Sequence, residues 1–319
     1  RHAHTHIAIA TTGIAGPTGG SPEKPVGLVW FAWSVGAEVW TERGSPLLYH
    51  LEDQVAGVHD TLTARLGEHV IVKGAMRYGQ PSIESQVQAL LEEGVQQLVV
   101  LPLYPQFGGP TTASTFDALS SELQRQRWVP DLRFVSSYHD HPAYIKAIAQ
   151  SVQQHWDTHG RADKLILSYH GMPKRYLLEG DPYHCQCLKT SRLVAAELAL
   201  SENDYMSTFQ SRFGRDEWLK PYTDETLQSL PDQGVKSLQI ICPGFSADCL
   251  ETIEEIGMEN RDYFLEAGGE RYEYIACLNA TTDHIEVIST LVTEQLEGWT
   301  APKYDAAAAK REAGKLGVN

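Results

Sequence analysis

The chain has 319 residues, and its 26 lysines and arginines against 41 aspartates and glutamates give a formal net charge of −15 at pH 7. A surface this acidic repels nucleic acid and anionic lipid, so we expect neither as a partner. No apolar stretch approaches the roughly 20 residues of a membrane span. We therefore expect a cytoplasmic protein of one or two domains, with its oligomeric state left open.

Strand and helix patterns alternate from about residue 40 to residue 297, which predicts α/β architecture with a mainly parallel sheet. The first clear unit is a strand with a Pro-containing loop, residues 97–107. A hydroxyl-rich stretch, residues 108–114, follows it and either holds an anion or caps a helix starting near Thr115.

Residues 142–163 predict a helix that ends at His159-Gly160 and links two halves of the chain. Each half has a strand that ends in a Pro-containing loop, at Leu101-Pro102 in one and at Cys242-Pro243 in the other. This similarity predicts a pseudo-repeat.

The most informative feature is His170, in Leu-Ile-Leu-Ser-Tyr-His-Gly-Met-Pro over residues 165–173. The apolar run predicts a buried strand, which Gly171 and Pro173 terminate. Ligands of open α/β sheets bind beyond the carboxyl ends of the strands, so His170 is placed for proton transfer or metal binding. A purely structural histidine is the alternative.

A second strand, turn and helix cover residues 234–255, with the strand at 238–242. Asp248 is the predicted N-cap of the helix and Glu251 its capping-box partner. Glu251 and Glu255 are four residues apart and share a helix face, so we expect the pKa of at least one to be raised where water is scarce. Either they form a catalytic pair, or Glu251 caps the helix and Glu255 is solvated.

The cysteines, at positions 185, 187, 242, 249 and 277, do not predict disulfides. A [2Fe–2S] cluster needs four thiolates, and no four-cysteine motif is visible, so we expect none. We also expect no organic cofactor. The Ala- and Lys-rich tail, residues 301–319, predicts a frayed helix or disorder.

Taken together, these segments resemble the ferrochelatase family, whose members insert ferrous iron into a porphyrin. The resemblance covers about residues 40–296 in seven ordered motifs, at residues 44–47, 76–78, 101–107, 168–173, 208–214, 218–224 and 243–255. It implies two similar Rossmann-like halves with parallel sheets and flanking helices. It also places the half-boundaries at residues 40–150 and 151–300.

The resemblance also implies roles for particular residues. His170 matches the family's active-site histidine, which accepts pyrrole protons or ligates the metal, and Glu251 its partner carboxylate across the pocket. Glu255 matches a carboxylate that leads protons or metal away. The residues expected at the porphyrin are Arg77, Tyr78, Tyr104, Phe245 and Arg212, although an ion pair is the alternative for Arg212. Where family members often carry a second histidine, this chain has Cys249.

The amino terminus departs from that family, because its first βα unit is missing or replaced. Residues 8–35 are similar instead to a fragment of the nicotinamide-nucleotide amidase (competence-damage) domain, around Gly-Ile-Ala-Gly-Pro. The segment with that family's catalytic serine is absent, so we expect no amidase activity. The junction, which we place at residue 39, indicates a fusion, a frameshift or an assembly chimera. The apolar run 28–34 is the predicted substitute strand.

These features predict a ferrochelatase, a lyase that makes protohaem from protoporphyrin IX and ferrous iron as its two substrates. Two alternatives stay open. One is a related chelatase acting on coproporphyrin or inserting cobalt, which a surplus of basic residues at the pocket rim would favour; the sequence shows no such surplus. The other is an inactive porphyrin-binding protein, because the first unit is replaced.

Overall fold

The computed structural model describes residues 6–11, 30–35, 38–43, 46–67, 70–299 and 306–317. In its first half the elements are β1 (His6–Thr11), β2 (Trp30–Val35), β3 (Glu38–Arg43), α1 (Pro46–Leu66), β4 (Ile71–Met76), α2 (Ile83–Glu92), β5 (Gln97–Pro102), α3 (Ser114–Leu123) and β6 (Asp131–Phe134). The second half contains α4 (Pro142–His159), β7 (Lys164–His170), α5 (Lys174–Leu178), α6 (Tyr183–Glu197), β8 (Tyr205–Gln210), α7 (Thr223–Ser229), β9 (Ser237–Ile241), α8 (Asn260–Glu266), β10 (Arg271–Ile275), α9 (Thr282–Gln295) and α10 (Ala306–Lys315).

The two halves share one topology. The first sheet has the order β4-β1-β5-β6 and the second β10-β9-β7-β8, and every pairing in both is parallel. When the strands of each parallel sheet are numbered along the chain, both orders are 2-1-3-4, with β1 equivalent to β7 and β5 to β9. The predicted α/β fold with two similar halves is therefore confirmed.

β1 lies in the inner position that the sequence comparison left without a strand. It pairs with β4 from His6↔Ile71 onwards and with β5 from His6↔Leu98 onwards. Its central sequence, Ile-Ala-Ile-Ala, is the continuous apolar run that an inner parallel strand requires. The amino-terminal segment thus replaces the missing strand of the first half.

The prediction that residues 28–34 would be that substitute strand was wrong. Residues 30–35 do form β2, but β2 pairs antiparallel with β3 in a separate two-stranded sheet. Residues 28 and 29 lie outside the described part of the chain. The apolar composition correctly indicated a strand and could not indicate its partner.

A π-helical segment follows β5 in the first half and β9 in the second. Residues Gly109–Ala113 lead into α3, and Glu251–Glu259 lead into α8. The hydroxyl-rich stretch forms the first of these segments and leads into α3, but no side chain caps the start of either. The Gly109 amide donates instead to the carboxylate of Asp181 at 2.7 Å. π-Helical turns are rare and concentrate at functional sites.

One hydrophobic core joins the halves. It contains Val58 and Leu62 of α1 together with Leu167 of β7 and Ile288 of α9, and all four side chains are fully or almost fully buried. The linking helix α4 ends as predicted, at His159, with Gly160 in a left-handed region (φ 76°). Of the described helices, none is both long and apolar enough to cross a bilayer.

Candidate active site

A cavity of about 520 Å³ opens between the two halves, at the carboxyl ends of the central strands. The first half contributes α1 and the loops after β4 and β5, and the second half contributes the loops after β7, β8 and β9. Its volume falls within the range of small-molecule sites. The lining includes Leu51, Gln54, Tyr78, Tyr104, His170, Met172, Arg175, Arg215, Trp218, Phe245, Cys249 and Glu251.

His170 is the last residue of β7 and is half-buried at the cavity wall. Its Nδ1 lies 2.7 Å from the Gly171 carbonyl oxygen. A carbonyl oxygen only accepts, so Nδ1 carries the proton in the neutral ring and Nε2 keeps its lone pair. Gly171 is required here because a Cβ would lie 2.5 Å from the Gln210 carbonyl oxygen. The imidazole is thus held in the tautomer that can accept a proton or a metal ion.

Glu251 begins the second π-helical segment. Its main-chain carbonyl accepts from Gln210 Nε2 at 2.8 Å, and its Oε2 lies 3.0 Å from Cys249 Sγ. Burial, and next the charge of Glu251, raise the pKa of Cys249, so that the thiol stays protonated and donates to the carboxylate. The residue that stands where relatives often have histidine therefore contacts Glu251 directly.

A second cavity of about 580 Å³ lies behind Glu251, which borders both. Its lining is strongly acidic and includes Glu254, Glu255 and Glu259. Glu255 accepts from the Ser211 amide at 2.7 Å and from the Ser211 hydroxyl. Burial raises the pKa of Glu255, the Ser211 hydrogen bonds and the His170 charge oppose this, and the Glu251 charge adds a smaller upward contribution. The pKa of Glu255 is raised as expected, but mainly by burial; the repulsion by Glu251 on which the expectation rested contributes least.

The predicted capping box at Asp248 was wrong. Residue Leu250 precedes the π-helical segment and makes no side-chain cap. The Asp248 carboxylate instead accepts from the hydroxyls of Tyr274 (2.5 Å) and Thr252 (3.1 Å). The motif spacing was correct for a cap, but tertiary donors compete for the same carboxylate oxygens.

The expected porphyrin residues divide into two groups. Tyr78, Tyr104 and Phe245 border the main cavity. Arg77 and Arg212 are absent from its described lining: Arg77 Nε donates to Ser114 Oγ at 2.8 Å, and Arg212 lines the second cavity.

Arg212 forms two hydrogen bonds with Asp224, at 2.8 and 2.9 Å, and one with Glu225 at 3.0 Å. These contacts favour an ion pair, the alternative to porphyrin binding that the sequence left open for Arg212. Sequence reasoning missed Arg175 and Arg215, both exposed residues that line the main cavity. The available signal was their position within two residues after the family motifs at residues 168–173 and 208–214.

The prediction of metal ligands comes from the resemblance to the family. Among the described residues, no three His, Cys, Asp or Glu side chains converge into a metal site by themselves. The five cysteines are free thiols; Cys185 is exposed and the other four are buried. Ligation by His170, Glu251 and Glu255 stays a prediction.

Buried His284 makes the folded chain sensitive to acid. Its Nδ1 donates to the Asn279 carbonyl oxygen at 2.5 Å, and burial lowers its pKa to about 4. Between pH 6.5 and 4 the unfolded chain binds more protons than the folded chain, so stability is full above pH 6.5 and falls toward pH 4. The full difference corresponds to about 3 kcal/mol.

We expect His284→Asn, which keeps a donor near the Nδ1 position, to lose less stability than the parent between pH 7 and 4.5. Urea unfolding at both pH values measures this difference. His59→Asn, at an exposed position on α1, is the matched control. Equal acid losses in the parent and in His284→Asn would contradict the prediction.

Two paired α/β halves with a cleft between them are also the fold of solved chelatases. The fold matches SirB from Bacillus subtilis with a TM-score of 0.60 at 11% identity, over 92% of this chain and 96% of that one. It matches CbiX, described as the terminal enzyme for biosynthesis of siroheme in denitrifying bacteria, with a TM-score of 0.55 at 13% identity, over 92% of this chain and all of that one. At these identities the likeness concerns the fold.

The chain belongs to the ferrochelatase family, whose model matches residues 37–296. It is 64% identical to a ferrochelatase of Pseudoalteromonas atlantica, over 83% of this chain and 73% of the relative. It is 60% identical to one of Teredinibacter turnerae, over 86% and 74%. Residues 1–46 match the CinA C-terminal domain, which confirms the resemblance of the amino-terminal segment to a fragment of that domain.

Proposed function

We propose that this chain inserts ferrous iron into protoporphyrin IX and forms protohaem, a lyase reaction of haem biosynthesis. The observation that carries the proposal is the cavity between the halves, which presents His170 and Glu251 among aromatic and aliphatic side chains. Family membership supports the reaction class. The cytoplasmic location stays a prediction.

The reaction removes two pyrrole N–H protons and a hydrated dication enters the ring. His170 Nε2, left unprotonated by the Nδ1 contact, takes one proton or ligates the metal. The Glu251 carboxylate takes the second proton or holds the partly dehydrated cation. Glu251 borders both cavities, whereas Glu255 borders only the second, acidic one. The acidic cavity is therefore the proposed route by which protons or metal move between the main cavity and solvent. Glu255 lies on this route, as its predicted role requires.

Protoporphyrin fits the charge at the cavity. The described lining includes two arginines, Arg175 and Arg215, as partners for two propionates; Arg175 also lies 3.8 Å from the Asp216 carboxylate, in an exposed ion pair that a propionate would have to displace. Coproporphyrin carries four carboxylates and would call for more cations. Tyr78, Tyr104 and Phe245 are proposed to pack on the macrocycle, and a rigid wall of this kind can bend the ring at a cost of about 1–5 kcal/mol.

We also propose residues 1–39 as the foreign segment, 40–150 and 151–300 as the two halves and 301–319 as the tail. The position of β1 favours an active chain over the inactive alternative. With β1 between β4 and β5, the first sheet has four strands in the same order as the second. The loops after β4 and β5, which line the first-half wall of the cavity, therefore follow strands of a complete four-stranded sheet.

Zinc insertion into protoporphyrin IX, followed by the fluorescence of the metallated product, tests the proposal on the full chain. We expect multiple turnovers, and slower turnover with coproporphyrin. A folded chain that binds protoporphyrin and never metallates it would instead establish the porphyrin-binding alternative. Faster turnover with coproporphyrin would transfer the proposal to that substrate.

A further inference from the structure

Asn279 lies in the turn between β10 and α9, outside the cavity lining. Its backbone adopts the left-handed region (φ 49°), which few residue types other than glycine and asparagine tolerate. All four of its polar groups are engaged, two in the side chain and two in the main chain. Because all of its hydrogen-bonding groups are engaged, we ask which neighbouring segments Asn279 holds in place.

The side chain of Asn279 forms two hydrogen bonds with Asp248. Its Nδ2 donates to Asp248 Oδ2 at 2.7 Å, and its Oδ1 accepts from the Asp248 amide at 2.8 Å. The other oxygen, Asp248 Oδ1, accepts from Tyr274, from Thr252 and from the Cys277 amide (3.2 Å). The Asp248 carboxylate is therefore buried, and both of its oxygens accept hydrogen bonds from protein donors. We call this hydrogen-bonded carboxylate the Asp248 anchor; it holds the surrounding segments together and is not a metal ligand.

The Asp248 anchor is hydrogen-bonded to the start of the π-helical segment Glu251–Glu259. Thr252 Oγ1, which donates to Asp248, also accepts from the Cys249 amide at 2.9 Å. These contacts fix the turn in which Glu251 lies, three residues after Asp248.

The main chain of Asn279 reaches the opposite half. Its carbonyl oxygen accepts from Gln54 Nε2 at 3.0 Å and from His284 Nδ1, and its amide donates to the Ser246 carbonyl oxygen at 3.1 Å. Gln54 belongs to α1, is 1% exposed and borders the main cavity. Asn279 thus joins the loop before Glu251 to the first-half wall of the cavity.

We propose that Asn279 is a positioning residue, which sets the Glu251 carboxylate in register with the first-half wall through its paired contacts with Asp248. The inference rests on the proposed metal insertion for its kinetic test. Displacement of a reacting group by about 1 Å can lower a rate by on the order of 10²-fold. The expected signature is a loss of kcat with porphyrin affinity preserved.

Asn279→Gly tests the side chain alone, because glycine keeps the left-handed backbone and the main-chain contacts. We expect kcat for zinc insertion to fall by roughly 10- to 100-fold, with the protoporphyrin Kd from fluorescence titration within twofold of the parent. Ala199→Gly is the matched control, since Ala199 is also left-handed (φ 52°) but exposed at the end of α6. Unchanged kcat in Asn279→Gly would overturn the proposal.

An exchange of the two side chains separates positioning from general stability. Asn279→Asp alone places two carboxylates face to face and should lose activity. The double variant Asp248→Asn with Asn279→Asp restores a donor at 248 and an acceptor at 279, so we expect it to recover most of the lost kcat. Equal losses in the single and double variants would contradict the paired contact.

A measurement without turnover keeps this inference distinct from the proposed function. Hydrogen exchange of the peptide covering residues 246–259 should be faster in Asn279→Gly than in the parent, while peptides of the first half stay unchanged. A parent that fails to turn over would reject the proposed function alone, and this exchange result would still decide the role of Asn279. Uniformly faster exchange across the chain would show a merely structural residue.

Discussion

Replacing His170 by alanine is expected to reduce zinc insertion into protoporphyrin by about 10²–10⁴-fold, the usual contribution of a positioned acid–base group. The neutral ring keeps its Nε2 lone pair because Nδ1 donates to Gly171. Alanine removes this acceptor and leaves the strand intact, since the main chain of β7 stays paired with β8 and the His170 carbonyl oxygen still accepts from Tyr183 at 3.0 Å.

The variant should therefore bind protoporphyrin with nearly the affinity of the parent. Single-turnover insertion and a fluorescence titration of the same sample measure the two properties separately. His184→Ala is the matched control, because His184 stacks on Phe209 at a ring distance of 5.5 Å and is not among the residues that line the main cavity. Turnover within a few-fold of the parent in His170→Ala would remove His170 from the mechanism.

The sequence predicts the second half of the fold closely because its signals are local. The run before His170 is apolar and ends in Gly171, so the strand boundary follows from burial and from backbone geometry at one position. The strand predicted at 238–242 is observed at Ser237–Ile241. Both strands are inner strands buried on two faces, for which apolar composition is the strongest signal.

The sequence does not reveal which charged side chains face the cavity. Arg212 has the motif context of a propionate ligand, yet Asp224 and Glu225 lie close enough to take its guanidinium. Arg175 and Arg215 reach the lining because the loops after β7 and β8 meet at the same sheet edge. The ion pair of Arg212 joins residues 12 and 13 positions apart, and local spacing carries no information on it.

Contacts between residues distant in the chain also explain why the sequence did not predict the role of Asp248. An Asp three residues before a Glu predicts a helix cap, but Thr252 is the one local donor to the Asp248 carboxylate that the structure describes; the others, Tyr274, Cys277 and Asn279, lie 26 to 31 positions away. Residues Glu251–Glu259 form a π-helical segment. In that geometry Glu251 and Glu255 border one acidic cavity, as their four-residue spacing indicated.

Substituting proline at Ala8 is expected to destabilise the whole chain, because β1 is an inner strand bonded on both sides. Ala8 pairs with Lys73 of β4 and with Val100 of β5. Proline donates no hydrogen bond to the ladder and is confined to edge strands. The unmade bond leaves a buried acceptor without its donor, so together with the ring clash we expect a loss of roughly 3 kcal/mol and a Tm lower by about 5–10 °C.

Ala32→Pro in β2 provides the matched control, since it makes the same substitution in the separate two-stranded sheet, where Ala32 pairs only with Thr41. Thermal unfolding followed by circular dichroism should show a large decrease in Tm for Ala8→Pro and a small one for Ala32→Pro. Because the loops bordering the main cavity follow β4 and β5, protoporphyrin binding should weaken in the first variant only. Similar Tm values for the parent and Ala8→Pro would mean that the amino-terminal segment does not complete the first sheet. The reduced first half would then have to form the cavity wall with three parallel strands.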